Sequence, residues 1–279
     1  MNYEQLLKLA VKAALRAGEE ILRVYETDFH VETKSDNTPV TIADRISGRC
    51  ISSILQETGI PIISEEESVP DYEVRKDWPA LWMVDPLDGT KEYVKRNGEF
   101  AVNIALVRDN EPVIGVIYAP VFKDIYFGAR GFGSYKITQN DVIMELTKQN
   151  LPDNLFEYAR RLPLHPPPKK YTVVASRSHL STEINSRIGK FENMYGEVDL
   201  INIGSSIKQC WVAEGKAHEY PRFGKTMEWD TAAGQCILEE SGNSLIDLHT
   251  DKPMRYNKEQ MMNNFFVALH NTGQRNNKD

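Results

Sequence analysis

"ALWMVDPLDGTKEYVKRNGEF", residues 80–100, runs an apolar stretch, Leu81 to Val84, straight into two aspartates around a proline, with a glycine and a threonine behind them. Asp, Pro and Gly are turn residues, so a plain Asp-Gly turn after a strand is one reading. The other is that Asp85 and Asp88 converge on a metal ion. Under that second reading each residue of "DPLDGT" has a task. Pro86 restrains Asp85, and Gly89 permits a backbone shape closed to other residues and a close approach of ligand. Thr90 offers a hydroxyl to orient a water, and the Leu87 carbonyl is a hard oxygen. Spacing alone leaves both readings open. The aspartyl-phosphate pattern D-x-D-G-T is excluded, because the position two before Asp88 is Pro86.

Further carboxylates stand at comparable places. Glu65 and Glu66 follow the short apolar strand "PIIS", and Asp230 opens a helix after "RFGKTMEW". Strand ends and helix starts are where α/β proteins build their sites. Carboxylates gathered in a protein interior need compensating cations. An all-oxygen set suits Mg²⁺, and the lack of nearby His or Cys argues against zinc or iron.

Composition sets the outer bounds. With 279 residues, 41% hydrophobic and 26% charged, the chain can bury a full core as one large or two smaller domains. A formal net charge of −7 argues against a nucleic-acid polymer as partner and leaves a small anionic ligand open. The longest apolar run, residues 113–122, is broken by Gly115 and Pro120 and falls short of the roughly 18 residues a membrane span needs. The N-terminus mixes Glu and Lys throughout, unlike a signal peptide. Its Leu6, Leu7, Ala10, Val11, Ala14 and Ile21 recur at helical spacing. Three scattered cysteines, Cys50, Cys210 and Cys236, point to a reducing, cytoplasmic setting.

Along the chain, a helix is expected over residues 42–56, then strands at "PIIS" and "LWMV", then a β-meander over residues 100–137. The proline-rich "LPLHPPPKK" marks a connector, with a short helix expected in "DNLFEYARR". The expected division is a metal-binding α+β subdomain at 1–140, a connecting insertion at 141–170, and an α/β subdomain at 171–279. In the last, "YTVVAS", "EVDLINI", "AHEYPRF", "SLIDL" and "NFFVALH" read as strands. "STEINSRIGKF", "SIKQCWVAEG" and "WDTAAGQCILEESG" read as helices.

Taken in order and spacing, "SEE", "DPLDGTKEYVKRNGEFAVNIAL", "GSSIK", "YPRFG" and "WDTAAG" resemble the lithium-sensitive, Mg²⁺-dependent inositol monophosphatase superfamily over nearly the whole chain. "DGTKEY" followed by "RNGEF" is similar to its CysQ-type 3′(2′),5′-bisphosphate nucleotidase branch. The resemblance implies a layered αβαβα sandwich of the inositol monophosphatase and fructose bisphosphatase type, in two subdomains. It implies Glu65, Asp85, Leu87 (main chain), Asp88 and Asp230 as ligands to two or three Mg²⁺ ions, with Glu65 and Thr90 orienting the attacking water.

Asp44 resembles the family aspartate that accepts a hydrogen bond from the loop threonine, although Thr41-x-x-Asp44 also reads as a capping box. Glu66 stays outside the ligand set. His179, Ser205, Lys208 and Arg222 are implied as grips on the non-scissile 5′-phosphate, with Arg177 and Ser178 as further candidates. The resemblance also implies that Gly89, Thr90 and Asp230 line the substrate. The implied reaction is hydrolysis of adenosine 3′,5′-bisphosphate to AMP and phosphate, with its sulfated analogue as a second substrate, by direct attack of water. The alternatives are an inositol or sugar phosphate monoesterase of the same fold and a non-catalytic nucleotide sensor. A monomer or homodimer is expected, in the cytoplasm, with room for peripheral association with the inner membrane face.

Overall fold

The strand Ala101–Arg108 shows how the layers arise. Val102, Ile104 and Leu106 enter one hydrophobic cluster, while Ala101, Ala105 and Val107 enter a second on the opposite face, as the two-residue period of a strand requires. The computed structural model describes residues 1–33, 39–138, 151–152, 154–176 and 182–271. Among these, a seven-stranded sheet runs in chain order through Ile62–Ser64, Ala80–Asp88, Ala101–Arg108, Glu111–Ala119, Asp124–Ala129, Gly133–Ile137 and Arg160–Arg161. The first pair is parallel and the later pairs antiparallel, so the expected meander is present.

Helices Tyr3–Tyr25 and Ile42–Leu55 cover one face of this sheet, burying Leu7, Ala10, Val11, Ala14 and Ile21 of the predicted apolar stripe. Helices Ile207–Glu214 and Ala232–Glu240 cover the other face. They also pack on a second, six-stranded sheet in the order Asp199–Asn202, Thr172–Ala175, Glu219–Arg222, Phe266–Leu269, Ser244–Asp247, Lys252–Pro253. Val174, Tyr220, Leu245 and Phe266 of that sheet share the middle cluster with Ile207, Ala233 and Ile237. Helix Thr182–Tyr195 lies on the outer side, where Phe191 and Tyr195 meet the ring of Tyr171. The layers therefore run αβαβα, the predicted fold class.

Small residues set the spacing of the middle layer. A Cβ built on Gly115 would fall 2.2 Å from the carbonyl oxygen of Ala233. The "AAG" helix thus rests directly on the strand. Gly115→Ala is expected to lower stability by about 1–3 kcal/mol, because the obstacle is backbone and cannot rotate away; chemical denaturation with an unchanged m-value checks this.

Several sequence expectations need correction. The strand begun by "LWMV" continues through Asp88. The C-terminal strands and helices alternate as expected, on a mixed sheet whose first three strands are parallel and the rest antiparallel. "DNLFEYARR" holds one 3₁₀ turn, Leu155–Tyr158, and then the edge strand Arg160–Arg161 of the first sheet. The helices Tyr72–Arg75 and Thr90–Val94 were not expected.

Candidate active site

Strand Ala80–Asp88 solves a parity problem. Residues three apart on a regular strand face opposite sides. Here Asp85 pairs with Asn103 and Asp88 with Ala101, three steps on one strand against two on the other, so one residue is extra. This bulge turns both aspartates toward the layer of helices Ile207–Glu214 and Ala232–Glu240. Pro86, which has no N–H for a ladder bond, occupies the irregular stretch. Gly89 follows at φ +92°. A Cβ there would lie 3.0 Å from the Glu99 carbonyl oxygen and 3.2 Å from Ser205 Cβ, so both backbone conformation and space require glycine.

Helix Ile42–Leu55 holds this loop from behind. Residues 44, 47 and 48 share a helix face by the three- and four-residue spacing. Ser47 Oγ donates to the Pro86 carbonyl at 2.8 Å, and Gly48 leaves room for the Pro86 ring. Asp44 performs both tasks its sequence position allowed. Its Oδ2 accepts from Thr41 N and Oγ1, each at 2.7 Å, closing the capping box, while Oδ1 faces Thr90 Oγ1 at 3.2 Å. Burial raises the Asp44 carboxyl above its ordinary value, and the Thr41 bonds oppose that rise. The same Thr90 hydroxyl lies 3.2 Å from the Leu87 carbonyl.

Glu65, Asp85 and Asp230 each bring a carboxylate oxygen within 4.8 Å of the others. Asp85 is 2% exposed. Burial first, then the charges of Glu65, Asp88 and Asp230, push its carboxyl well above the usual carboxylate range. Asp230 is raised likewise by burial and then by Asp88 and Glu65. Among the described residues no lysine or arginine is ion-paired with either. Such a set fits a divalent cation, which supplies the missing positive charge.

The three aspartates are also each anchored by one oxygen. Leu87 N donates to Asp85 Oδ1 at 3.0 Å, Ser206 N to Asp88 Oδ2, and Met227 N to Asp230 Oδ2 at 2.8 Å. The 3₁₀ turn Glu228–Asp230 is pinned in turn by fully buried Glu228, which accepts from Asn257 N at 2.6 Å and from Lys258 Nζ at 2.6 Å.

Opposite the acids the wall is basic. Ser205 adopts φ +60° and Ser206 begins helix Ile207–Glu214. Lys208, 4% exposed, donates from Nζ to the Ser205 carbonyl at 2.6 Å and the Ile203 carbonyl at 3.3 Å, and lies 5.2 Å from the Tyr220 ring centre. Burial pulls its ammonium down to about 8. Arg222 donates to the Lys225 carbonyl at 3.1 Å, while its buried Nε has no partner among the described residues. One pocket joins the two walls, lined by Asp88, Gly89, Ser205, Lys208, Arg222 and Asp230.

Glu65, Asp85, Leu87, Asp88, Gly89, Thr90 and Asp230 thus lie together, and Ser205, Lys208 and Arg222 face them. Arg177, Ser178 and His179 lie outside the described residues. Tyr220 is buried in the middle cluster and also lines the pocket, and Trp229 packs in that cluster. Sequence reasoning missed Glu92, Asn103 and Gln209. Glu92, Ser176 and Gln209 line the pocket. Asn103, 1% exposed, accepts from Ser206 Oγ at 2.6 Å beside Asp85. An asparagine inside the apolar "FAVNIALV" was the available signal.

These features match a known family over almost the full chain: the inositol monophosphatase family model covers residues 2–276. The chain belongs to the inositol monophosphatase family. It is 39% identical over 271 residues to the 3′(2′),5′-bisphosphate nucleotidase CysQ of Shigella flexneri, covering 95% of this chain and 100% of that protein. Identity to the protein of the same name from Salmonella typhimurium is 41% over 246 residues, covering 87% and 90%. The crystal structure of CysQ from Bacteroides thetaiotaomicron, a bacterial member of the same family, aligns with a TM-score of 0.84 at 45% identity, covering 96% of this chain and 98% of that one. Inositol monophosphatase family members are phosphatases and generally metal-dependent, and the acidic cluster of this chain is able to hold a metal ion. Among the described residues no helix is long and apolar enough to cross a membrane.

Proposed function

We propose that the chain is a Mg²⁺-dependent 3′(2′),5′-bisphosphate nucleotidase that converts adenosine 3′,5′-bisphosphate to AMP and phosphate. The sulfated analogue, 3′-phosphoadenylyl sulfate, is a second substrate, and the role is clearance of the by-product of sulfate activation. The observation that carries this reading is one pocket with an acidic wall at Asp88 and Asp230, backed by Asp85 and Glu65 clustered with Asp230, and a basic wall at Lys208 and Arg222. A monophosphate ester needs only the first wall; a bisphosphate uses both. The named relatives carry the same activity in their names. Three cysteines without a disulfide support a cytoplasmic setting.

Glu65, Asp85, Asp88, Asp230 and the Leu87 carbonyl would hold the cations. Bound Mg²⁺ supplies charge to the phosphoryl oxygens and the leaving oxygen, and lowers the pKa of water. The remaining work falls to the chain itself. With Thr90 donating its single hydrogen bond to Asp44, the hydroxyl oxygen has lone pairs left to accept a hydrogen bond from the attacking water and so orient it. Glu65 holds that water from the other side. Lys208 and the unpartnered Nε of Arg222 take the distal phosphate, and the loop Gly204–Ser206, with Ser206 buried, limits water around it. A nucleotide sensor without turnover has no use for a three-acid cluster centred on buried Asp85.

Lys208→Ala and Arg222→Ala test the second grip. Each is expected to lower kcat/KM for adenosine 3′,5′-bisphosphate on the order of 100-fold, as loss of a desolvated charge pair does, and to change inositol 1-phosphate hydrolysis by less than about threefold. Equal losses on both esters would remove the 5′-phosphate role.

The lysine also gives a pH signature. With its ammonium down at about 8, KM for the bisphosphate is expected to rise as pH climbs above that value, because neutral Lys208 no longer attracts the phosphate. Over the same interval, up to the ordinary lysine value, the substrate-free protein gains stability, since the unfolded chain binds a proton the folded one has released. Lys208→Arg is expected to flatten the KM profile.

A further inference from the structure

Glu92 sits in the substrate pocket without a task in the chemistry above. It lies in helix Thr90–Val94, directly after the metal-binding loop, and lines the pocket between Gly89 and the Gly204–Ser206 loop. Its place in the wall is built: a Cβ on Gly204 would fall 2.8 Å from Glu92 Cγ, so that loop packs against the glutamate stem with no room for a larger residue. The side chain is half-buried, and among the described residues no other side chain donates a hydrogen bond to it. Burial raises its carboxyl above the ordinary value and the Asp88 charge adds to that, while its own backbone N–H and, more weakly, the charges of Lys208 and Lys95 oppose the rise.

An acid in a pocket for a doubly phosphorylated ligand is an electrostatic contradiction unless it faces an uncharged part of that ligand. Both phosphates have their own walls, at the acidic cluster with its cations and at Lys208 with Arg222. What is left beside the scissile phosphate is the sugar. In a nucleoside 3′-phosphate the hydrogen-bond donor nearest that phosphate is the 2′-hydroxyl on the adjacent carbon, and in the 2′-phosphate isomer it is the 3′-hydroxyl. A carboxyl oxygen accepts from either, and it repels a ligand that brings a third anionic group to the same place.

We propose that Glu92 is a specificity-determining residue that accepts a hydrogen bond from the ribose hydroxyl vicinal to the scissile phosphate. The proposal rests on the nucleotidase reading and adds the sugar contact to it. A hydrogen bond to a charged acceptor is worth roughly a 10- to 100-fold preference.

The test compares kcat/KM for adenosine 3′,5′-bisphosphate and 2′-deoxyadenosine 3′,5′-bisphosphate, with Mg²⁺, for wild-type protein, Glu92→Ala and Glu92→Gln. Wild type is expected to prefer the ribonucleotide by roughly 10- to 100-fold. Glu92→Ala is expected to treat the two within about threefold, and Glu92→Gln, which keeps an amide oxygen as acceptor, to fall between. A purely structural role would lower both substrates together and leave their ratio intact. A wild type with no preference, or a Glu92→Ala that keeps it, overturns the assignment while the nucleotidase reading stands. A wild type that releases no phosphate from either nucleotide but hydrolyses inositol 1-phosphate overturns the reading and the assignment with it.

Discussion

Asp88→Asn is expected to abolish phosphate release, by roughly 10³-fold or more at fixed Mg²⁺, while leaving the far-UV spectrum and the substrate-free melting temperature in EDTA close to wild type. Removing a partner that merely orients a metal ligand already costs 10- to 100-fold, and Asp88 is one of the acids proposed to hold the cations, with its charge acting on both Asp85 and Asp230. The fold survives because the asparagine oxygen still accepts from Ser206 N, the bond that ties the "DPLDGT" loop to the start of helix Ile207–Glu214. Side by side, phosphate release and a melting curve check both halves. Wild-type turnover in Asp88→Asn would remove Asp88 from the metal site.

The second large effect is on stability. Asp85 is buried among three other acids, so in EDTA its charge opposes folding. Saturating Mg²⁺ is expected to raise the melting temperature of wild type by several degrees, at about 2–4 °C per kcal/mol for a chain of this size. Asp85→Asn is expected to melt higher than wild type in EDTA and to lose most of the Mg²⁺ increment. Its amide oxygen still accepts from Leu87 N, so the loop keeps its shape.

The pH dependence follows the same logic. In EDTA the folded protein holds a proton on Asp85 that the unfolded chain has released above its ordinary carboxylate value. Wild-type stability therefore falls as pH rises through the raised range, and Asp85→Asn flattens that slope. Differential scanning fluorimetry with and without Mg²⁺ reads all three outcomes.

Much of this arrangement was legible in the sequence, and the misses have physical causes. Strand alternation, the amphipathic N-terminal helix and the αβαβα layering followed from residue period and from the resemblance of the motifs. The bulge did not. "DPLDGT" contains the residues of a turn, and only pairing with "AVNIALVR" carries the strand through Asp88. That pairing, absent from any local pattern, explains how aspartates three apart come to face one side.

Asn103 and Glu228 are a second kind of miss. Each is a polar residue whose partners lie far off in the chain, Ser206 for one and Asn257 with Lys258 for the other. Their value lies in tertiary contacts that spacing does not encode. Glu92 stood in plain view inside "DGTKEY" and was read only as part of a signature. Its position against Gly204 is what makes it a wall of the pocket.

The central claim is that one pocket pairs a cation-dependent phosphate site with a second phosphate grip. The most direct measurement is phosphate release from adenosine 3′,5′-bisphosphate beside inositol 1-phosphate, in Mg²⁺ and again in EDTA. The account predicts a strong preference for the nucleotide that EDTA abolishes. Equal or better turnover of the inositol ester, or nucleotide hydrolysis that persists in EDTA, would contradict it.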